Sequence, residues 1–246
     1  MKMTVLGARG AYPGKNEGCS GYLIQENGFN LLLDCGSGVV SALQNYIELI
    51  ELDAVVLSHY HADHWSDIGV LQHGIMIICK VSNNHKNLPI YGPRDNESPV
   101  DLNYKSYTAG RPYRENRSLT LGPFTIEFLK TKHSIPCFAV KITSGETIIV
   151  YTADTAYFKE LAGFSYNADL LIAESTLYPE TNGQKLGHMN STDAARLAEK
   201  AGSGELLLSH LPNYGDNNIL LKDAGKHFNG KIRLAASGYR WAKSDS

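Results

Sequence analysis

Ala54-Val55-Val56-Leu57-Ser58-His59-Tyr60-His61-Ala62-Asp63-His64 is the stretch that decides how this chain folds. It opens as a short continuous apolar run, the pattern of a strand covered on both faces. It then passes directly into His59, His61, Asp63 and His64, four metal-binding side chains within six residues. On a helix, His59 and His61 would point apart. Past a strand end, a tight loop can aim all four to one side. Imidazole nitrogens and a carboxylate oxygen suit zinc, iron or manganese. The ligands are too many for one tetrahedral ion, so two ions are expected.

The same grammar recurs along the chain. His133 lies between the strand patterns at 124–129 and 138–142, Asp154 follows the apolar run IIVYTA, and His210 ends ELLLSH. Asp34, in LLLDCG, is expected to brace the metal loop from behind. Strands are also read at 3–6, 22–25, 30–34, 90–91, 147–151, 170–173, 205–208 and 231–235, with a hairpin turn at Glu26-Asn27-Gly28. Helical spacing covers 39–50, 66–80, 191–201 and 217–228, the third capped by Ser191 or Thr192. The polar segment 92–118 reads as a long loop. Apolar strands ending in polar clusters in both halves predict two similar β/α halves forming one domain, 1–246. In such a layout, ligands gather beyond the strand ends.

Composition sets the outer bounds. The chain has 246 residues, 43% of them hydrophobic, and a net charge of -2. It is not a polycation, so any nucleic-acid contact needs a local basic patch. Cys19, Cys35, Cys79 and Cys137 show no C-x-x-C spacing and read as buried or idle thiols. No run approaches the roughly 18 apolar residues of a membrane span, and no signal peptide is read. The expectation is a cytoplasmic protein without membrane contact.

The ligand set, with LGARGAYP, CSGYL and LLLDCG, resembles the metallo-β-lactamase fold superfamily over nearly the whole chain. The resemblance implies an α/β fold, a four-layer αβ/βα sandwich of two sheets between helices. It implies that His59, His61 and His133 hold one ion, that Asp63, His64 and His210 hold the other, and that Asp154 bridges them. Zinc is the expected metal, with manganese and iron as alternatives. True β-lactamases carry a cysteine where Asp154 stands, so antibiotic hydrolysis is not predicted. Di-iron oxygen reductases of this fold carry a glutamate where His61 stands, which favours hydrolysis over redox chemistry.

Two further segments resemble the ribonuclease Z branch: Ala173-Glu174-Ser175-Thr176 and Gly187-His188-Met189-Asn190-Ser191-Thr192. The resemblance implies His188 as the acid for the leaving oxygen and Glu174 as its orienter, with Asp63 at the reacting centre. That branch has a histidine where Ala173 stands. It also has a long tRNA-gripping arm between the third histidine motif and the bridging aspartate. His133 and Asp154 are 21 residues apart and a β-hairpin pattern fills the gap, so the arm is absent. The leading reading is therefore a binuclear phosphodiesterase in which a bridging hydroxide attacks phosphorus. Its expected substrates are small phosphodiesters or RNA, with Arg111, Arg114 and Lys132 as candidate contacts and homodimerisation as the family pattern. The alternatives are an ester, thioester or lactone hydrolase on the same ions, and a non-catalytic nucleic-acid-binding module. His73, His85 and His227 lack partners at metal spacing and are assigned surface or packing roles.

Overall fold

The apolar runs that precede the polar clusters are central strands, and both their faces are covered. The computed structural model describes residues 1–94 and 100–243. It contains two units, Met1–Arg114 with Ala236–Ala242, and Glu115–Ala235 with Lys243.

In the first unit the strands are β1 (Lys2–Arg9), β2 (Gly18–Cys19), β3 (Gly21–Glu26), β4 (Phe29–Leu33), β5 (Ala54–Val56), β6 (Leu88–Pro93) and β7 (Thr108–Tyr113). Its helices are α1 (Val39–Leu43), α2 (Ala62–Trp65) and α3 (Ile68–Ser82). The sheet order is Arg240–Ala242, β1, β3, β4, β5, β6, β7, with β2 beside β1. The β1, β3 and β4 pairings are antiparallel, and β4 through β7 run parallel. The turn between β3 and β4 uses Asn27 and Gly28, both at positive φ, as a two-residue hairpin demands.

The second unit repeats this plan. Its strands are β8 (Leu119–Leu121), β9 (Phe124–Lys130), β10 (Phe138–Ser144), β11 (Thr147–Tyr151), β12 (Leu170–Glu174), β13 (Glu205–Ser209) and β14 (Lys231–Leu234), in the order β14-β13-β12-β11-β10-β9-β8. Again an antiparallel run, β8 to β11, gives way to a parallel one, β11 to β14. Helices α4 (Lys159–Phe164), α5 (Ser191–Ala201) and α6 (Asn218–Ala224) complete it. Every residue of β12 and β13 is buried. Ala194, Ala195, Leu197, Ala198 and Ala201 of α5 join Leu171, Leu206 and Leu208 in one apolar cluster. Truncating a buried leucine there to alanine would cost about 2–5 kcal/mol. The expected pair of like β/α halves is matched by this shared topology.

Four local readings need correction. The helix over 39–50 is only Val39–Leu43, followed by a 3-10 turn at Leu49–Glu51. Asn45 turns its amide back to the Ala42 carbonyl, the local side-chain competition that ends helices. The long loop 92–118 contains the six-residue strand β7, paired in parallel register with β6; residues 95–99 of that segment lie outside the described residues. Gly110 and Pro112 disguised β7, but an outermost strand tolerates a proline that cannot donate to a ladder. The cap of α5 is Asn190, which accepts from the Asp193 N–H at 2.9 Å, rather than Ser191 or Thr192. The last predicted helix spans Asn218–Ala224 rather than 217–228. Among the described residues, no helix is long and apolar enough to cross a membrane.

Candidate functional site

Each sheet presents its polar side chains at the C-terminal ends of its parallel strands, so each unit carries its own half-set. In the first unit, β5 ends at Val56 and the chain reaches His59 three residues later. Asp34, directly after β4, is fully buried and lies behind that loop. Its Oδ1 accepts from the Ser58 N–H at 2.7 Å and its Oδ2 from the Ser58 hydroxyl at 2.8 Å. Oδ2 also meets His64 Nδ1 at 2.7 Å. The expected bracing role of Asp34 is therefore what the geometry shows. The adjoining backbone docks as well: the Cys35 N–H donates to the His64 carbonyl at 2.8 Å. A Cβ on Gly36 would come within 2.0 Å of the Asp63 carbonyl, so only glycine allows this approach.

These contacts decide which ring nitrogen is offered. The Ser58 hydroxyl has given its one proton to Asp34, so its 3.0 Å contact with His59 Nδ1 makes that nitrogen the donor. His59 Nε2 then carries the lone pair. It lies 3.1 Å from His61 Nδ1. Two nitrogens bound to one tetrahedral zinc at roughly 2.0–2.1 Å would be about 3.3 Å apart. His64 turns Nδ1 to Asp34 and Nε2 to within 3.5 Å of Asp63 Oδ2. Asp63 Oδ2 also accepts the Ala11 N–H at 2.7 Å. This donor chemistry fits a divalent metal, with a carboxylate orienting a ligating imidazole from behind.

In the second unit the candidates come from separate segments. His133 leaves the loop after β9, Asp154 follows β11, Glu174 ends β12, and His210 follows β13. His133 Nδ1 donates to the Gly187 carbonyl at 3.0 Å, and its Nε2 lies 3.7 Å from Asp154 Oδ2. His210 Nε2 lies 3.4 Å from Asp154 Oδ1. Thr176 plays the part that Ser58 plays in the first unit. Its hydroxyl donates to Glu174 Oε2 at 2.8 Å and therefore accepts from His210 Nδ1 at 2.7 Å. Glu174 Oε1 accepts from the Thr155 N–H and meets His188 Nδ1 at 2.9 Å. Asp154, His188 and His210 each offer a ligand atom within 4.8 Å of the others. A Cβ on Gly183 would sit 1.9 Å from the His188 carbonyl, so the loop carrying His188 closes tightly over glycine.

Backbone strain marks the same places. Asp34, Ala153 and His210 have φ of 57, 50 and 52, each directly beyond a strand or one residue before a candidate ligand. A left-handed non-glycine residue costs about 1–2 kcal/mol, and such conformations gather at functional sites. Sequence reading missed Ser58 and Thr176. The available signal was a hydroxyl residue placed one or two positions from a buried carboxylate or a ligand.

The remaining candidates are less enclosed. Arg111 on β7 and Arg114 are exposed, and Lys132 is exposed with its ammonium 5.8 Å from the Phe158 ring centroid. All four cysteines are buried free thiols. Burial, with help from Asp63, pushes the Cys19 thiol up to about 11, so in the metal-free protein it is a neutral thiol. The interval from His133 to Asp154 is occupied by the β10–β11 hairpin, as expected.

Comparison with known families assigns the class. Residues 29–211 match the model described as beta-lactamase superfamily domain, and the chain belongs to that superfamily as a metallo-hydrolase of the metallo-β-lactamase fold. It is 48% identical to the probable metallo-hydrolase YhfI of Bacillus subtilis over 242 residues, covering 98% of this chain and 99% of that one. The crystal structure of YhfI matches with a TM-score of 0.95 at 47% identity, covering 98% of each chain. Ribonuclease Z of Thermoplasma acidophilum is 25% identical over 288 residues, 93% of this chain and 92% of that one. Human tRNase Z, short form, matches with a TM-score of 0.76 at 21% identity, over 98% and 99% of the two chains. The resemblance read from the sequence motifs is borne out for fold and family.

Proposed function

We propose that the two half-sets form one binuclear centre and that the protein is a phosphodiesterase. On this reading His59, His61 and His133 hold one divalent ion, and Asp63, His64 and His210 hold the other. Asp154 is shared between them, and zinc is the expected metal. Ions bound there would acidify a water and neutralise charge building on a phosphoryl oxygen. The chain's own residues do the rest. Asp34 and Glu174 keep the imidazoles oriented, Ser58 and Thr176 select their tautomers, and Asp63 is held at the reacting centre by Ala11.

The observation that carries the phosphodiester reading is the Glu174–His188 pair. His188 Nδ1 faces the buried carboxylate at 2.9 Å, which leaves Nε2 as the atom able to carry a proton outward. The His188 side chain is 21% exposed, buried enough to be oriented and open enough to meet a substrate. A carboxylate on the inner nitrogen fixes the ring so that its outer nitrogen faces a leaving oxygen, the orientation that general-acid catalysis requires. The likeness to ribonuclease Z proteins supports the same bond class. Arg111, Arg114 and Lys132 are proposed contacts for substrate phosphates, and a homodimer is the proposed assembly.

The test uses the zinc- or manganese-loaded protein on a pair of substrates. Wild type should hydrolyse both bis(p-nitrophenyl) phosphate and a dinucleotide. His188→Ala should lose on the order of 100-fold on the dinucleotide, whose alkoxide needs a proton, and far less on the nitrophenyl ester. Equal losses on both would remove the acid role. A metal-replete wild type that cleaves lactones or thioesters but no phosphodiester would establish the second reading.

A further inference from the structure

Between the end of β5 and His59 stand two peptides whose orientation sets where the metal loop begins. The Leu57 N–H is still anchored to the sheet, donating to the Tyr91 carbonyl on β6 at 2.8 Å. The carbonyls of Leu57 and Ser58 both face one donor: Tyr113 Oη, at 2.7 Å from the first and 3.2 Å from the second. Tyr113 is 3% exposed and is the last residue of β7, the outermost strand of its sheet. A phenol carries one proton, so the two carbonyls share it, with the shorter contact dominant. More than fifty residues separate this donor from its acceptors.

A second phenol, carried by the loop itself, makes a further tie. Tyr60, between His59 and His61, donates through Oη to the carbonyl of Pro93, the last residue of β6, at 3.2 Å. Its own carbonyl accepts the Trp65 indole N–H at 3.0 Å. The loop is thus tied at its entry to the end of β7 and at its centre to the end of β6. A tyrosine needed only for packing would leave its hydroxyl at the surface or be replaceable by phenylalanine without polar cost. A buried hydroxyl must be paired, and this one is paired to the two peptides that lead into the ligands.

We propose that Tyr113 is a positioning residue for the metal loop. Its hydrogen bonds set the direction in which peptides 57 and 58 leave β5, and hence the spacing at which His59 and His61 present their nitrogens. The inference rests on the metal-binding reading above. A rotation of the Ser58 peptide would also disturb the Ser58 N–H and hydroxyl contacts to Asp34, so loss of the phenol propagates to the tautomer of His59.

The test is Tyr113→Phe in the full chain, which deletes one oxygen. Zinc binding is measured by equilibrium competition with a chromophoric chelator, and urea unfolding of the metal-free protein is followed alongside. The expected result is a zinc dissociation constant raised at least tenfold, with the metal-free variant still unfolding cooperatively. A lowered unfolding midpoint with unchanged zinc affinity overturns the proposal, because a purely structural tyrosine gives that result. A wild type that holds no zinc overturns the metal reading instead, which is a distinguishable outcome. Should Tyr113→Phe not fold, 3-fluorotyrosine at position 113, which keeps the oxygen and alters its donor strength, takes the same measurement: a shifted zinc affinity is expected, and an unchanged one overturns the proposal.

Discussion

The two half-sets reach the same local chemistry by different routes. In each, a hydroxyl donates to a fully buried carboxylate and accepts from a histidine Nδ1: Ser58 with Asp34 and His59, and Thr176 with Glu174 and His210. In the first unit four candidate ligands share one six-residue segment that runs into α2, and a single carboxylate, Asp34, orients both Ser58 and His64. In the second, each candidate ligand comes from its own segment, and Glu174 serves both His210, through Thr176, and His188 directly. The first arrangement is redundant and local. The second is distributed, so each of its candidate ligands depends on a different segment for its place.

That contrast ranks the expected effects of substitution. Asp154→Ala should be the most severe, losing about a thousandfold or more in phosphodiester hydrolysis, roughly 4 kcal/mol of transition-state stabilisation, together with bound metal. His61→Ala, with three candidate ligands left in the same loop, should lose at least tenfold less. Metal analysis and single-turnover rates on both variants check this, and equal damage would break the asymmetry.

The next test compares the two carboxylates that orient the imidazoles. Asp34→Asn should weaken metal retention about 10–100-fold, with near-normal turnover once metal is saturating. Glu174→Gln should lose both retention and saturated turnover, because it also holds His188. Unchanged kcat for Glu174→Gln at saturating zinc would show that the pair delivers no proton.

The smallest effect concerns the scaffold of the second half-set alone. Asp223, on α6, accepts from the Ser191 and Thr192 hydroxyls at 2.8 and 2.7 Å and so fastens the start of α5, three residues beyond His188. Burial alone would raise the Asp223 carboxyl; the Thr192 and Ser191 hydroxyls, with Lys226 and His227, outweigh it and hold the carboxyl below its ordinary value. A depressed folded pKa contributes stability that is complete above the unfolded value, about 3.9, and is lost as pH falls through the folded one. Asp223→Asn should therefore cost about 1–2 kcal/mol in urea unfolding at pH 7, and progressively less as the pH is taken below the unfolded value and through the folded one. A cost independent of pH would mean that the hydroxyl contacts do not depend on the charge.

What the sequence determined by itself was the inventory and the repeating rule. His59, His61, Asp63 and His64 were legible as candidate ligands because they are adjacent, and His133, Asp154 and His210 because each stands at or near the end of an apolar strand run. Periodicity located most strands, and Asp34 was assigned its bracing role correctly. These features are local: composition, spacing and alternation are properties of neighbouring residues. Only the tertiary structure decided which nitrogen each histidine offers, because that depends on Ser58, Thr176, Asp34 and Glu174 meeting across long stretches of chain. It alone showed the strained backbone at Asp34, Ala153 and His210, and it alone turned the polar stretch after β6 into a strand whose last residue holds the metal loop. Side-chain direction and peptide orientation are set by contacts between segments remote in sequence, and no local pattern carries that information.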